Sequence, residues 1–537
     1  MSLVKHLLFS EEEFVHNSIL NGTSVKGSYN TMQFVLRLRD DIRTALESDL
    51  DFERINATST SIHENIHWWQ HMGSNFGFLF SLAYPALVHK TSVNLKAIIS
   101  QGILLKSILK FDKEYFKVNG VADIEDINEI LNNFHDLEYA KSFAMDNKNI
   151  LTMHNDRRFF LNIGHCYHIL WGLTIDLLAS TVDKEHVCLP NTDNWVEKFK
   201  VLEDKKVPGF FVDSPLHLLS PLGIKAIYEG QAIFNQIQYL RVALNKELSF
   251  SDCENAGMLH SIYIEAFDHY LQITKFDKPD DLLDPTIGLF LLLCDVAINP
   301  NNGFPLEIYD FENFITKNDP AIRFTMMCRV IAKDPKSYRD RLVNYSKEEY
   351  IILSKKLSEA IACKCSYENI DMVLRWIETK SVFEVIKEGE DLNFSEENQP
   401  IRLMFSRYYR FQEDKKKYPN VLCWFGYHST SANKNIEFKI VDSLYKKHHA
   451  LFVDDFDGEV KPTIFEGVNK ENIVESFDKF YGFNIIYDII LKWIYEEGEF
   501  KYDYDWLAGD RSKTFIPVIK QNFKNQFGID IGSIKVL

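Results

Sequence analysis

Two histidines four residues apart can serve one metal ion only if the chain between them is helical, and that requirement governs the reading of residues 58–73. The stretch reads His63-Glu64-Asn65-Ile66-His67. On a helix, positions i and i+4 share a face, so both imidazoles can reach one ion and Glu64 projects beside it. A carboxylate placed there can take a proton from water activated by the metal. Two neutral imidazoles, one further ligand and an open position suit catalytic zinc. Ser59, Thr60 and Ser61 are the expected N-caps, and Gly73 is the expected stop. A blander alternative stands beside this one: Ser61-x-x-Glu64 fits a capping box, in which Glu64 reaches back to the backbone. His71 continues the i+4 series. One straight helix rarely wraps three turns around one ion, so His71 reads as a supporting or packing residue.

The wider composition also favours helices. With 41 Phe and 24 Tyr against 23 Gly and 15 Pro in 537 residues, long packed helices are expected in place of a turn-rich β architecture. The expected fold is mainly α with a smaller α+β part. Residues 1–380 would form a helical body of the metal-site kind, and residues 381–537 a smaller mixed module, with a soft boundary over 380–415 at the charged runs around Lys387–Asp391 and Lys415–Lys417. A brief strand is expected at Phe34–Arg39. Helices are expected at Phe76–Leu87 with a break at Pro85, then at Val93–Leu109, Phe159–Ser180, Gly223–Leu244, Ser251–Ile273, Pro285–Ala297, Glu348–Thr379 and Phe480–Glu496. Short strands are expected at Val421–Phe425, Ile436–Val441 and Ala450–Val453.

A formal charge of −17 argues against a general nucleic-acid-binding surface, which needs a basic footprint, though not against a local basic patch. The eight cysteines form no C-x-x-C pair and read as reduced core thiols of a cytoplasmic protein. The N-terminal residues lead into Glu11-Glu12-Glu13 without the apolar run of a signal peptide. The longest apolar run, around Leu289–Leu293, is too short to span a bilayer and carries Asp295, so no membrane partner is expected.

Two places in the chain resemble the gluzincin-type zinc metallopeptidases. The first is His63-Glu64-Asn65-Ile66-His67, extended by Gln70 to the H-E-x-x-H-x-x-Q form. The second is Glu229-Gly230-Gln231-Ala232, similar to the E-G-x-A element that supplies their glutamate ligand on a later helix. The resemblance covers about a dozen residues. It implies that His63, His67 and Glu229 bind one Zn2+ per chain, that Glu64 is the general base, and that a protein or peptide is the substrate. The surroundings of Glu229 agree with such a role. It lies in the apolar context Ile224–Ile233, where a carboxylate is costly to bury unless paired or coordinated, and Gly230 would let its helix approach another closely.

Glu265, Asp268 and His269 are competing third ligands on another expected helix. His165, His168 and Tyr228 are candidates, by composition alone, for stabilising an oxyanion. Two readings from other classes remain. One is a helical di-iron or di-manganese carboxylate protein built on Glu64-x-x-His67 and Glu13-x-x-His16. The other is a non-catalytic interaction protein with a structural metal.

Overall fold

The computed structural model describes residues 26–30, 33–120, 124–156, 158–159, 162–212, 216, 218–244, 248–429 and 438–537. In chain order these form two strands, β1 (Gly27–Asn30) and β2 (Val35–Leu38), followed by the long helices α1 (Asp51–Met72), α2 (Asn75–Ser100), α3 (Glu125–Met145), α4 (Ile163–Val182), α5 (Ile224–Ala243), α6 (Ile262–Thr274), α7 (Pro285–Ala297) and α8 (Gln399–Lys417). Strands β3 (Phe452–Asp454) and β4 (Val460–Pro462) and the long helix α9 (Lys470–Tyr495) complete the frame, with further helices between. The fold is mainly helical with a small four-stranded sheet, as the composition implies. No helix among the described residues is long and apolar enough to cross a membrane.

Helix α1 carries the histidine pair and is buried along nearly all of its last four turns. Its first turn holds Asp51 and Glu53, which suit the positive end of the helix dipole. It starts well before the serines expected to cap it. Ser59, Thr60 and Ser61 are internal, with Ser59 and Thr60 bonding back to the carbonyl of Asn56 and Ser61 meeting the Tyr445 hydroxyl at 2.8 Å. The C-terminus falls where expected: Gly73 N–H donates to Trp69 O at 2.7 Å. A Cβ on Gly73 would lie 2.4 Å from the Phe411 ring, so only glycine lets α8 come this close.

Helix α2 corrects the expected break at Pro85. The proline removes one backbone bond, yet the helix continues through it because residues 75–88 are buried throughout and packing holds the axis. Helix α7 has the expected bounds, with Asp284 capping the Thr286 N–H and Pro285 in the first turn. The expected strand at 421–425 is helical instead, over Pro419–Cys423 and Phe425–His428. A short run buried on all sides has no period to distinguish strand from helix. The expected strand at 436–441 is replaced by a helix over Phe438–Lys447, residues 436 and 437 lying outside the described residues.

The sheet has the order β1-β2-β3-β4. β1 runs antiparallel to β2 with Gly27 opposite Leu38, β2 runs parallel to β3 with Val35 opposite Phe452, and β3 and β4 form a hairpin-like antiparallel pair. Strands from both ends of the chain therefore share one sheet, and one apolar core extends from Phe34 to Ile534. Residues 380–415 span two helices that pack on each other, Lys380–Asp391 and α8, joined by residues 392–398, and α8 also reaches α1 and α4. The backbone at 448–450 is tied to α1: Trp69 Nε1 donates to His448 O at 2.7 Å, and Asn65 Oδ1 accepts from Ala450 N–H at 2.8 Å.

Candidate metal centre

Helix α5 lies along α1 and brings Glu229 opposite the two histidines. Gly230 lets α5 pack closely on its other side, because a Cβ there would stand 3.0 Å from the Phe290 ring of α7. His63 Nε2 and His67 Nε2 are 3.2 Å apart, and each is 3.4 Å from Glu229 Oε2. Among the described residues this is the group of three or more such side chains whose ligand atoms converge, all within 4.8 Å of one another.

The triangle has the dimensions a tetrahedral ion such as zinc would need. Two nitrogens and an oxygen at about 2.0–2.1 Å from a tetrahedral ion stand about 3.3 Å from one another. Hydrogen bonding explains the same geometry less well, since N–H···O separations centre on about 2.9–3.0 Å and two imidazoles share one oxygen here. The side chains are mostly enclosed but open on the Glu229 side, where exposure reaches 20%. Burial works against a charge on His67, but Glu229 prevails and holds its pKa up to about 9, with Glu64 and Gln70 adding to the effect. Burial likewise opposes the Glu229 charge, and the two imidazoles overcome it, keeping the carboxyl well below its usual range.

Glu64 is buried one residue along from His63, and burial raises its carboxyl pKa against the pull of both imidazoles, with Glu229 adding to the rise. It takes no part in a capping box, because Ser61 lies deep inside α1 and bonds to Tyr445. Strand β1 presses on it: a Cβ on Gly27 would sit 2.8 Å from Glu64 Cγ and 2.9 Å from Oε1. Among the described residues β1 is an edge strand of the sheet, paired on one side with β2.

The other candidates stand apart from the cluster. His71 faces away, with Nδ1 at 3.2 Å from Ser81 Oγ and its ring against Tyr29 and Tyr228; burial pushes its pKa down to about 3. Glu265 pairs with Lys148, and His269 meets Thr325 Oγ1 at 3.2 Å. Asp268 is exposed on α6. His165 is held by Asp136 at 3.2 Å, and His168 packs on Phe199. Tyr228 contributes its backbone carbonyl, which accepts from Gln70. Glu13 and His16 lie outside the described residues.

Sequence reading missed Tyr263. It enters from the start of α6 and stands edge-on to His63 with ring centroids 5.9 Å apart. Burial raises its hydroxyl pKa, and the charges of Glu229 and Glu64 raise it further. Its only signal in sequence is that it lies on an expected helix about 200 residues from the histidines. No family model, curated protein or solved structure matches this chain.

Proposed function

We propose that this chain is a zinc-dependent metallopeptidase of the zincin kind, with His63, His67 and Glu229 holding one ion. The observation that carries the reading is the triangle of two imidazole nitrogens and one carboxylate oxygen at 3.2–3.4 Å, with Glu64 buried beside it. A bound zinc ion would acidify water and polarise a substrate carbonyl. Glu64 accepts the proton released as water attacks that carbonyl, then delivers it to the leaving amine. Its position beside His63 and its enclosure by β1 hold the carboxylate in one place for both transfers. Tyr263, edge-on to His63, is our candidate donor to the oxyanion that develops on the carbonyl.

A peptide or protein substrate is favoured over other amides by the resemblance of the two motifs to gluzincins. The cytoplasmic setting belongs to the same proposal and is supported by eight free cysteines, seven of them buried. Metal analysis and a peptide-library cleavage screen test it together. Purified protein should carry close to one zinc and cleave peptides, and Glu64→Gln should keep the zinc while losing at least ~10²-fold in rate. Tyr263→Phe should also keep zinc and lose about 10²–10³-fold in kcat. Two irons or manganese per chain, or cleavage undiminished in Glu64→Gln, would sink the proposal.

A further inference from the structure

Gln70 lies three residues after His67, close to the same face of α1, and is only 2% exposed. Its Nε2 end has two acceptors in reach, Tyr228 O at 2.9 Å and Gln231 Oε1 at 3.0 Å. A primary amide has one donating end and one accepting end. The contact with the Tyr228 carbonyl requires the NH2 at that end, so the amide oxygen must be the end facing His67, where it stands 2.8 Å from Nδ1. A carbonyl oxygen can only accept, so His67 Nδ1 carries a hydrogen. In the neutral imidazole, Nε2 is then the lone-pair nitrogen, turned towards His63 Nε2 and Glu229 Oε2. His63 lacks this arrangement: its Nδ1 is buried with no hydrogen-bond partner among the described residues.

We propose that Gln70 and Gln231 are positioning residues, a buried amide pair that holds His67 in the tautomer and orientation of an Nε2 metal ligand. The inference rests on the metal-centre reading above. Gln231 is two residues after Glu229 on α5 and only 5% exposed, so one helix delivers both the carboxylate ligand and the acceptor that orients Gln70. Buried amides need partners, and this pair satisfies one of its members with the other. A neutral amide behind the imidazole, where many such histidines have a carboxylate, fixes the ring without adding negative charge to it.

The test measures zinc affinity of the full-length protein by chelator competition, with melting curves and cobalt(II) absorption as independent readouts. Gln70→Leu removes the acceptor and should lose 10–100-fold in affinity. Gln70→Glu keeps an acceptor for the Nδ1 hydrogen and Gln231 can turn its amide to donate to the new carboxylate, but the second carboxylate oxygen then faces the Tyr228 carbonyl, to which it cannot donate. This variant should recover part of the affinity lost in Gln70→Leu and keep the strong visible bands of tetrahedral cobalt(II). Gln231→Leu leaves Gln70 only the Tyr228 carbonyl to hold its donating end and should fall between wild type and Gln70→Leu. A folded Gln70→Leu with wild-type affinity overturns the positioning role. If Gln70→Leu does not fold, Gln231→Leu decides, and wild-type affinity in that variant counts against the proposal. A wild-type chain that takes up neither zinc nor cobalt(II) removes the metal centre itself, whereas wild-type binding with an indifferent Gln70 removes only the relay.

Discussion

Zinc should staple α1 to α5, and the size of the effect follows from the geometry and the length of the chain. The three ligand atoms come from two helices whose ligands are about 160 residues apart in sequence. An ion held by them binds the folded state and has no matching site when the chain unfolds. At free zinc ~1,000 times the Kd, this linkage contributes about 4.1 kcal/mol. Unfolding entropy near the midpoint is about 2.1 cal/mol/K per residue, or about 1.1 kcal/mol/K for 537 residues unfolding as one unit. Zinc should therefore raise Tm by about 4 °C. Glu229→Ala removes one corner of the triangle and its balancing charge, leaving two imidazoles 3.2 Å apart with no anion between them. Its affinity should fall by more than the 10–100-fold typical of losing a supporting hydrogen bond, so most of the shift should vanish. Glu64→Gln changes no ligand and should keep the whole shift. Differential scanning calorimetry on zinc-free and zinc-loaded protein reads all three. A full shift in Glu229→Ala would refute the ligand assignment, and loss of the shift in Glu64→Gln would make Glu64 a ligand and favour a di-metal site.

Three further outcomes are expected. Gly27→Ala places a methyl 2.8 Å from Glu64 Cγ and must displace the carboxylate by about 0.5–1 Å, so kcat/KM should fall about 10–100-fold in a cleavage assay with zinc content unchanged. Lys415 and Asp295 form a buried pair at 2.7 Å, with Tyr350 donating to the second oxygen. Lys415→Met should cost about 3–5 kcal/mol, or about 3–4 °C in Tm, by stranding the carboxylate; calorimetry showing no loss would mean that the pair adds nothing. Burial holds the His168 imidazole at about 4, below its ordinary 6.5, so between these values the unfolded chain binds more protons and stability falls as pH falls. By pH 5 this one residue should cost about 2 kcal/mol. His168→Phe, which suits a ring already packed on Phe199, should flatten that part of a denaturation-against-pH curve.

What the residues alone determined is local. The four-residue spacing of His63 and His67, with Gly73 after them, is sufficient to place one helix, its end and two convergent imidazoles, because helical geometry acts over a single turn. Asp284-Pro285 and the apolar run after them likewise mark α7 without outside help. The context of Glu229 carried a chemical hint, a carboxylate among apolar neighbours, but its distance from the histidines depended on how α5 lies along α1. Tertiary packing alone settled the rest. Pro85 stays helical because its neighbours are buried, and residues 421–425 coil because a segment enclosed on every side has no period to read. The contact of Gly27 with Glu64, the edge of Tyr263 on His63 and the Gln70–Gln231 pair all join residues far apart in the chain. Such contacts form only after long loops have closed, and the order of residues along the chain bears no local mark of which pairs will meet.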